Sequence, residues 1–121
     1  MEFYEQLFKK IMDTLPRNHE VGLLVNNAGL MSPGYLHLQP LKAHTDMLDV
    51  NVMHVALLSK KFVSYFLSAR SSSSKSGLIN VSSLIGYFPG ACGSVYSASK
   101  GFVNFFTHPL AFELQGKVDV Q

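Results

Sequence analysis

The fold is decided by residues 21–29, which read VGLLVNNAG. The first part of this stretch, Val21–Val25, is a short and nearly continuous apolar run, and Asn26–Gly29 closes it with small and amide side chains. A strand that is buried on both faces has this pattern, because neither face needs polar side chains, and such strands are typical of parallel sheets. The stretch therefore predicts a parallel strand that ends in a polar loop.

Helical and strand patterns alternate on both sides of this stretch. Before it, apolar residues recur at three- and four-residue spacing over Phe3–Leu15, which predicts an amphipathic helix that ends at Pro16 and Asn18. After it, the patterns predict a helix over Leu41–Ala69, a serine-rich loop over Arg70–Gly77, a strand over Leu78–Val81, an irregular loop over Ser82–Ser94, a helix over Tyr96–Leu114 and a strand over Val118–Val120. This alternation predicts an α/β fold with a doubly wound parallel sheet.

The composition restricts the class of protein. Of the 121 residues, 47% are hydrophobic and 15% are charged, so we expect one globular domain or part of one rather than a disordered segment. The net charge is +2, and the basic doublets at 9–10 and 60–61 are not interleaved with aromatic residues, so nothing supports a nucleic-acid partner. Cys92 is the only cysteine, which excludes an internal disulfide, and we interpret it as a small residue in a glycine-rich loop.

Two loops follow complete strands and hold most of the chemically capable side chains. In a parallel sheet the carboxyl ends of the strands lie at one edge, and ligands bind outside that edge. The loops Asn26–Gly29 and Ser82–Ser94 are therefore expected to share one site.

Tyr96 and Lys100 are four residues apart in the predicted helix, so their side chains are neighbours on its surface. A phenol ordinarily titrates near pH ~10, and an adjacent cation favours the phenolate, so such a pair can exchange protons nearer to neutral pH. Taken alone, the pair is better interpreted as a half-buried tyrosine beside a surface lysine. Ser83 favours the catalytic interpretation, because a hydroxyl at that strand end could hold a substrate carbonyl against Tyr96. Ser83 by itself could equally cap a turn.

The order and spacing of four motifs resemble those of the short-chain dehydrogenases/reductases. The motifs are Asn26-Asn27-Ala28-Gly29 after an apolar strand, Asn51 within Leu48-Asp49-Val50-Asn51-Val52, Ser83 within Asn80-Val81-Ser82-Ser83, and Tyr96-Ser97-Ala98-Ser99-Lys100. The resemblance covers essentially the whole chain and implies a Rossmann-like doubly wound parallel sheet over residues 1–121. No glycine-rich turn of the type G-x-x-x-G-x-G occurs, so we expect a partial fold that lacks the first βαβ unit and the C-terminal part.

Carried over by position, the resemblance implies four catalytic roles. Tyr96 would be the general acid or base at the carbonyl or alcohol oxygen, and Lys100 would lower its pKa and bind the nicotinamide ribose. Ser83 would orient the substrate oxygen. Asn51 would interrupt its helix, so that its backbone holds a water that links Lys100 to solvent.

The resemblance also implies a cofactor, a substrate and an assembly. The cofactor would be NAD or NADP, and the residues beside it would be Asn26, Ala28, Gly29, Tyr96 and Lys100. The substrate would be a small-molecule ketone or secondary alcohol, and the subgroup one that acts on steroids or 3-oxoacyl chains. The helices over residues 52–68 and 96–114 would form the contact of a homo-oligomer.

A second class of function stays open, namely a truncated, non-catalytic protein that kept the scaffold and acts through a binding partner. The set formed by Asn51, Ser83, Tyr96 and Lys100 favours the enzyme, because a scaffold has no physical need for all four. The missing phosphate-binding turn favours the binding protein. The chain on its own is expected to be inactive, and unstable or prone to aggregate, because its apolar strands would have uncovered edges.

Three further patterns concern the location of the protein, metal binding and the last predicted helix. No stretch reaches the ~18 uncharged apolar residues that a membrane span needs, and both a cytoplasmic location and one at the endoplasmic reticulum membrane are compatible with the sequence. The histidines show no metal-ligand spacing, so no metal site is predicted. Pro109 falls inside the helix Tyr96–Leu114 and is expected to kink it and to push His108 out of helical geometry.

Overall fold

The computed structural model of the protein describes residues 2–16, 19–68 and 75–121. The predicted alternation of helices and strands is confirmed, with bounds that shift by a few residues. The elements are, in chain order, α1 (Glu2–Thr14), β1 (Leu23–Asn26), α2 (Leu41–Leu48), a π-helical turn (Asp49–Met53), α3 (His54–Ser68), β2 (Gly77–Asn80), α4 (Ser94–Glu113) and β3 (Asp119–Val120). Short 3₁₀ helices occupy Leu36–Leu38 and Leu84–Gly86. The predictions for Asn18 and for residues 69–74 fall outside the described residues.

The sheet has three parallel strands in the order β1-β2-β3. Residues of β1 pair with those of β2 from Leu23 opposite Gly77 to Asn26 opposite Asn80, and β3 pairs with the start of β2. Helices α2 and α3 lie between β1 and β2 in the chain, and α4 lies between β2 and β3, so each pair of parallel strands has the crossover connection that it requires. The predicted α/β class with a parallel sheet is therefore confirmed, and the arrangement corresponds to part of a Rossmann-like fold.

The hydrophobic core lies between one face of the sheet and the helices. Its centre is formed by Phe62 and Phe66 of α3 together with Leu114 and Val118, which follow α4. Partly buried residues of the other elements surround this centre, among them Phe8, Ile11, Leu24 and Val120. Helix α1 joins it through Phe8, whose ring meets that of Phe62 edge to face at 5.2 Å between centroids. The amphipathic stripe of α1 thus packs where its spacing predicts.

The prediction that β1 is buried on both faces is wrong for the described residues. Side chains alternate between the two faces of a strand, and Leu24 and Asn26 point toward the helices. Leu23 and Val25 point the opposite way and are 52% and 47% exposed, because no described element packs on that face. The apolar character of Leu23 and Val25 therefore marks a face of the sheet that is open within the described chain.

The long helix predicted over Leu41–Ala69 is divided by the π-helical turn Asp49–Met53. A π turn holds an extra residue, is rare in proteins and often lies at a functional site. Asn51 lies in the middle of it and is buried, so the interruption of this helix at Asn51, which the resemblance implied, is confirmed.

Helix α4 contains Pro109 but continues as a helix to Glu113, and His108 stays within it. The expectation that His108 leaves helical geometry is therefore wrong. Proline biases the residue before it away from the helical region, but the bias is small enough for the packing of a long helix to override it. Pro109 itself is exposed, so its ring does not disturb the core.

No helix in the described ranges is long and apolar enough to cross a membrane. Within the same ranges, no group of three or more histidine, cysteine, aspartate or glutamate side chains could hold a metal ion.

Candidate active site

The loops that follow β1 and β2 lie together at the carboxyl edge of the sheet, as their order predicts. The backbone N–H of Val81 donates to the carbonyl of Asn26 at 2.9 Å, which extends the pairing of the two strands to their ends. Farther out, the N–H of Gly34 donates to the carbonyl of Cys92 at 2.9 Å. Cys92 adopts a left-handed backbone with φ 61°, so it forms the bend that brings the second loop back toward the first. The two loops and the start of α4 therefore enclose one site.

Lys100 occupies the centre of this site. It is only 5% exposed, and its Nζ donates to the carbonyl of Val81 at 2.9 Å. Desolvation by burial lowers the pKa of Lys100 below the ordinary value for lysine. The Nζ also lies 5.9 Å from the ring centroid of Tyr96, one helical turn earlier. The predicted tyrosine–lysine pair is thus brought together, and the lysine is buried rather than on the surface.

Gly29 brings the backbone of the first loop against Lys100. A Cβ built on Gly29 would lie 3.4 Å from Lys100 Nζ and 3.8 Å from Asn51 Oδ1, so the loop passes within contact distance of both side chains. Gly29 and its neighbour Ala28 are exposed at the end of β1. They leave bare backbone beside the ammonium group, a surface that suits the close approach of a flat ligand.

Tyr96 lies in the first turn of α4, which begins at Ser94. Its side chain is half-buried, and its hydroxyl forms no hydrogen bond with the residues that the structure describes. A phenol held in this way is free to exchange a proton with a bound molecule.

Asn51 is held by hydrogen bonds on both sides of its amide. Its Oδ1 accepts from the N–H of Leu30 at 2.8 Å, and its Nδ2 donates to the carbonyl of Leu30 at 2.8 Å. The same Nδ2 donates to Ser99 Oγ at 3.0 Å. Asn51 is 1% exposed, so these contacts satisfy an amide that water does not reach. The asparagine therefore connects the π turn to the first loop and to α4.

Ser83 and Ser82 end β2 in different ways. Ser83 precedes the 3₁₀ helix Leu84–Gly86, and its Oγ accepts from the N–H of Ile85 at 3.5 Å, the turn-capping contact that was the alternative to a substrate contact. Its own O–H is left to donate elsewhere. Ser82 Oγ donates to the carbonyl of Lys100 at 2.9 Å, so this loop is attached directly to the helix that carries the tyrosine and the lysine.

Asn26 is the last residue of β1 and is buried beneath the site. Its side chain is 1% exposed and donates to Ser59 Oγ at 2.9 Å and to Asn80 Oδ1 at 2.8 Å. Asn80 Nδ2 in turn donates to Thr107 Oγ1 at 2.9 Å. These side chains form a polar row beneath the site that joins α3, the sheet and α4. The contact of Asn26 with a cofactor stays a prediction, and of the three loop residues in that prediction Ala28 and Gly29 are the exposed ones.

The sequence patterns did not single out three residues that shape the site, namely Ser82, Gly86 and Ser99. A Cβ on Gly86 would lie 2.8 Å from the carbonyl carbon of Lys100 and 2.9 Å from Asn104 Nδ2, so only a glycine allows the loop to approach α4 this closely. The sequence offered one indication of their role, since Ser82 and Ser99 each adjoin a predicted site residue. The spacing of residues in a helix or strand does not by itself show whether such a side chain points into the site.

The site combines a proton donor, a buried cation and bare backbone. The nicotinamide cofactor that the resemblance implies fits these residues, because the Lys100 ammonium and the exposed Ala28–Gly29 backbone lie together beside Tyr96. The arrangement suits proton exchange at an oxygen placed near Tyr96.

The sequence is similar to curated oxidoreductases of several kinds. It is 32% identical over 102 residues to very-long-chain 3-oxoacyl-CoA reductase-A of Danio rerio, covering 81% of this chain and 31% of that protein. It is 32% identical over 117 residues to 17-beta-hydroxysteroid dehydrogenase type 3 of Homo sapiens, covering 96% of this chain and 35% of that protein. The chain thus spans about a third of the length of these two relatives.

The structure of the chain is also similar to that of a solved protein. The structure of 3-ketoacyl-(acyl-carrier-protein) reductase from Brucella melitensis, complexed with NADH, superposes with a TM-score of 0.86 at 28% identity, covering 97% of this chain and 49% of that one. The model of the family described as short chain dehydrogenase matches residues 1–121. With the tyrosine, lysine, serine and asparagine at the carboxyl edge of a parallel sheet, these matches show that the chain belongs to the short-chain dehydrogenase family.

Proposed function

We propose that this chain is the catalytic segment of an NAD(P)-dependent oxidoreductase that interconverts a ketone and a secondary alcohol. The observation that carries the proposal is the burial of Lys100 between Tyr96, Gly29 and the carbonyl of Val81. Burial of a lysine ammonium costs free energy because it loses its hydration, and perturbed cations of this kind cluster at functional sites.

Each side chain has a defined task in this proposal. The cofactor, when bound, supplies or takes up the hydride. Tyr96 donates a proton to the substrate oxygen during reduction and removes it during oxidation. Ser83 donates its free O–H to the same oxygen and holds it in place. Lys100 keeps a positive charge close to Tyr96 and offers its remaining N–H groups to a ribose hydroxyl.

The substrate class is proposed from the relatives. The proteins of Danio rerio and Brucella melitensis are named for 3-oxoacyl and 3-ketoacyl chains, and the human protein for hydroxysteroids. We expect a carbonyl attached to a large apolar group. This expectation agrees with the exposed apolar side chains that flank the site, among them Met31 and Leu84.

The test begins with the transcript that encodes the chain, sequenced through both ends of its reading frame and expressed as the complete protein. Oxidation of NADH and NADPH is then measured with a 3-oxoacyl thioester and with a 17-oxosteroid. Tyr96→Phe should lower turnover by a factor of about 10² or more, because the proton donor is lost. The matched control is Tyr65→Phe: Tyr65 contacts the N–H of Val21 at the opposite end of β1, so turnover should not change.

Two outcomes would contradict the proposal. One is equal turnover in Tyr96→Phe and wild type, and the other is a complete protein that oxidises neither cofactor with any carbonyl. If the reading frame ends at Met1 and Gln121 and the product binds no nicotinamide cofactor, the alternative of a non-catalytic binding protein takes its place.

The apolar faces of α3 and α4 support the proposed homo-oligomer. Leu67 on α3 and Phe105 and Phe112 on α4 are exposed, Phe105 to 83%. Contiguous exposed apolar side chains commonly mark protein interfaces. If two copies associate through these helices, Phe105→Asp should shift the complete protein toward the monomer in sedimentation velocity, and an unchanged sedimentation coefficient would argue against this contact.

A further inference from the structure

We propose that Ser99 is a positioning residue. It holds the side chain of Asn51 and the first turn of α4, which carries Tyr96, in a fixed arrangement. The inference rests on the proposed function, since it assigns a task at the same site. Ser99 lies directly before Lys100 in α4, and it is 1% exposed.

The hydroxyl of Ser99 is fully used. It donates to the carbonyl of Tyr96 at 2.7 Å and accepts from Asn51 Nδ2 at 3.0 Å. A serine hydroxyl has one hydrogen to give and lone pairs to accept with, so the two bonds are compatible and have a defined direction. Ser99 thus joins the turn that carries Tyr96 to the side chain of Asn51.

The connection continues to the first loop. Asn51 holds both the N–H and the carbonyl of Leu30 at 2.8 Å, and Leu30 follows Gly29, which lies against Lys100 Nζ. An unbroken row of hydrogen bonds therefore runs from the loop after β1, through the π turn, to the first turn of α4. Each of these three segments carries one wall of the site.

Removal of the hydroxyl would leave one N–H of the Asn51 amide without an acceptor. Because Asn51 and Ser99 are both 1% exposed, water does not replace the lost partner. The amide would then reorient toward another acceptor and loosen its hold on Leu30. The loop and the helix would keep their own structure but lose their fixed separation, on which the alignment of substrate and tyrosine depends.

Ser97 provides a matched control. It lies in the same helix two residues earlier and is also buried, but its Oγ has no hydrogen-bond partner among the described residues. Ser97→Ala therefore makes the same chemical change in the same element without breaking the row.

The first measurement is kinetic and uses the complete protein with its cofactor and a carbonyl substrate. Ser99→Ala should lower kcat by roughly tenfold, because small displacements of reacting groups are costly, while KM for the substrate stays within about twofold. Ser97→Ala should leave both constants unchanged. A variant Ser99→Ala with wild-type kcat would overturn the inference, as would an equal loss in Ser97→Ala.

The second measurement does not need turnover. Hydrogen exchange of the Leu30 N–H, which donates to Asn51, should be faster in Ser99→Ala than in wild type and Ser97→Ala. The N–H of Gly77, which donates to the carbonyl of Gly22 at 2.9 Å at the other end of the strands, reports unfolding of the whole sheet and should not change. Unchanged exchange at Leu30 would overturn the inference. A complete protein without any turnover would instead refute the proposed function, and Leu30 exchange would still decide the role of Ser99.

Discussion

Gly86 lies where the loop after β2 crosses α4. A side chain at this position would meet the backbone of Lys100 at 2.8 Å and 2.9 Å, distances that real Cβ contacts do not show. We therefore expect Gly86→Ala to lower the free energy of unfolding of the complete protein by about 1–3 kcal/mol, the usual cost of overpacking. Turnover should fall as well, since the loop that carries Ser83 must move away from α4. Urea denaturation and a steady-state assay measure the two effects.

Gly90 is the control for this prediction, because it lies in the same loop. A Cβ there would come no closer than 4.0 Å to Ile85 Cδ1, so Gly90→Ala should be nearly neutral in stability and in turnover. Equal effects of the two substitutions would mean that the loop needs flexible glycines in general, and not a close approach at Gly86.

Single residues differ in how far the sequence predicts their role. Tyr96 and Lys100 were predictable as neighbours because helical geometry fixes side chains four residues apart. The burial of Lys100 was not, since it depends on the loop at Gly29, which is distant in sequence. The burial of Asn26 was not predictable either, because a strand pattern does not reveal which face a terminal side chain takes when both faces look apolar.

At the scale of elements, the spacing of apolar residues and the proline, glycine and polar residues between them predicted each helix and strand to within a few residues. The ends that shifted are those decided by pairing across the sheet, such as β1, which extends to Asn26 because Asn26 pairs with Asn80. The interruption of the helix at Asn51 was expected only from the resemblance, and its π-helical form was not expected. Spacing alone reads residues 41–69 as one regular helix, since apolar residues occur on both sides of the turn.

Pro109 is an element-scale feature with a measurable cost. It lacks an N–H, so the carbonyl of Phe105 loses its helical donor, although α4 continues to Glu113. Pro109→Ala should raise the free energy of unfolding by up to about 3 kcal/mol and leave kcat unchanged, because Pro109 is exposed and lies more than two turns beyond Lys100. Chemical denaturation of the complete protein tests this. A loss of stability would mean that α4 requires the proline at this position.

At the scale of the whole molecule, the sheet is covered on one face and, among the residues that the structure describes, open on the other. Leu23 and Val25 of β1 are about half exposed on the open face, and strands with unpaired or uncovered apolar surface recruit other chains. We expect the 121-residue chain on its own to bind the dye ANS and to self-associate at micromolar concentration. Its thermal unfolding, followed by circular dichroism, should lack a cooperative transition.

A matched variant distinguishes the open face from the helical faces as the cause of this behaviour. Val25→Thr places a hydroxyl on the open face without changing the β-branched shape, so it should reduce ANS fluorescence and association. A sharp, reversible transition in dilute wild-type chain would contradict the prediction and show that the two layers suffice for a stable fold.

The π turn also affects which changes of sequence this part of the fold can accommodate. Buried residues recur at exact four-residue steps through it, at Met47, Asn51 and Val55, where a regular helix would rotate the buried face by about 40° at each step. The wider turn absorbs that rotation, so α2 and α3 keep their faces on the core although one more residue lies between them. In genetic terms, the loss of a single codon within residues 49–53 would convert the π turn into a regular helical turn and leave Met47 and Phe62 facing the core. Evolution can therefore alter this part of the site without rebuilding the core beneath it.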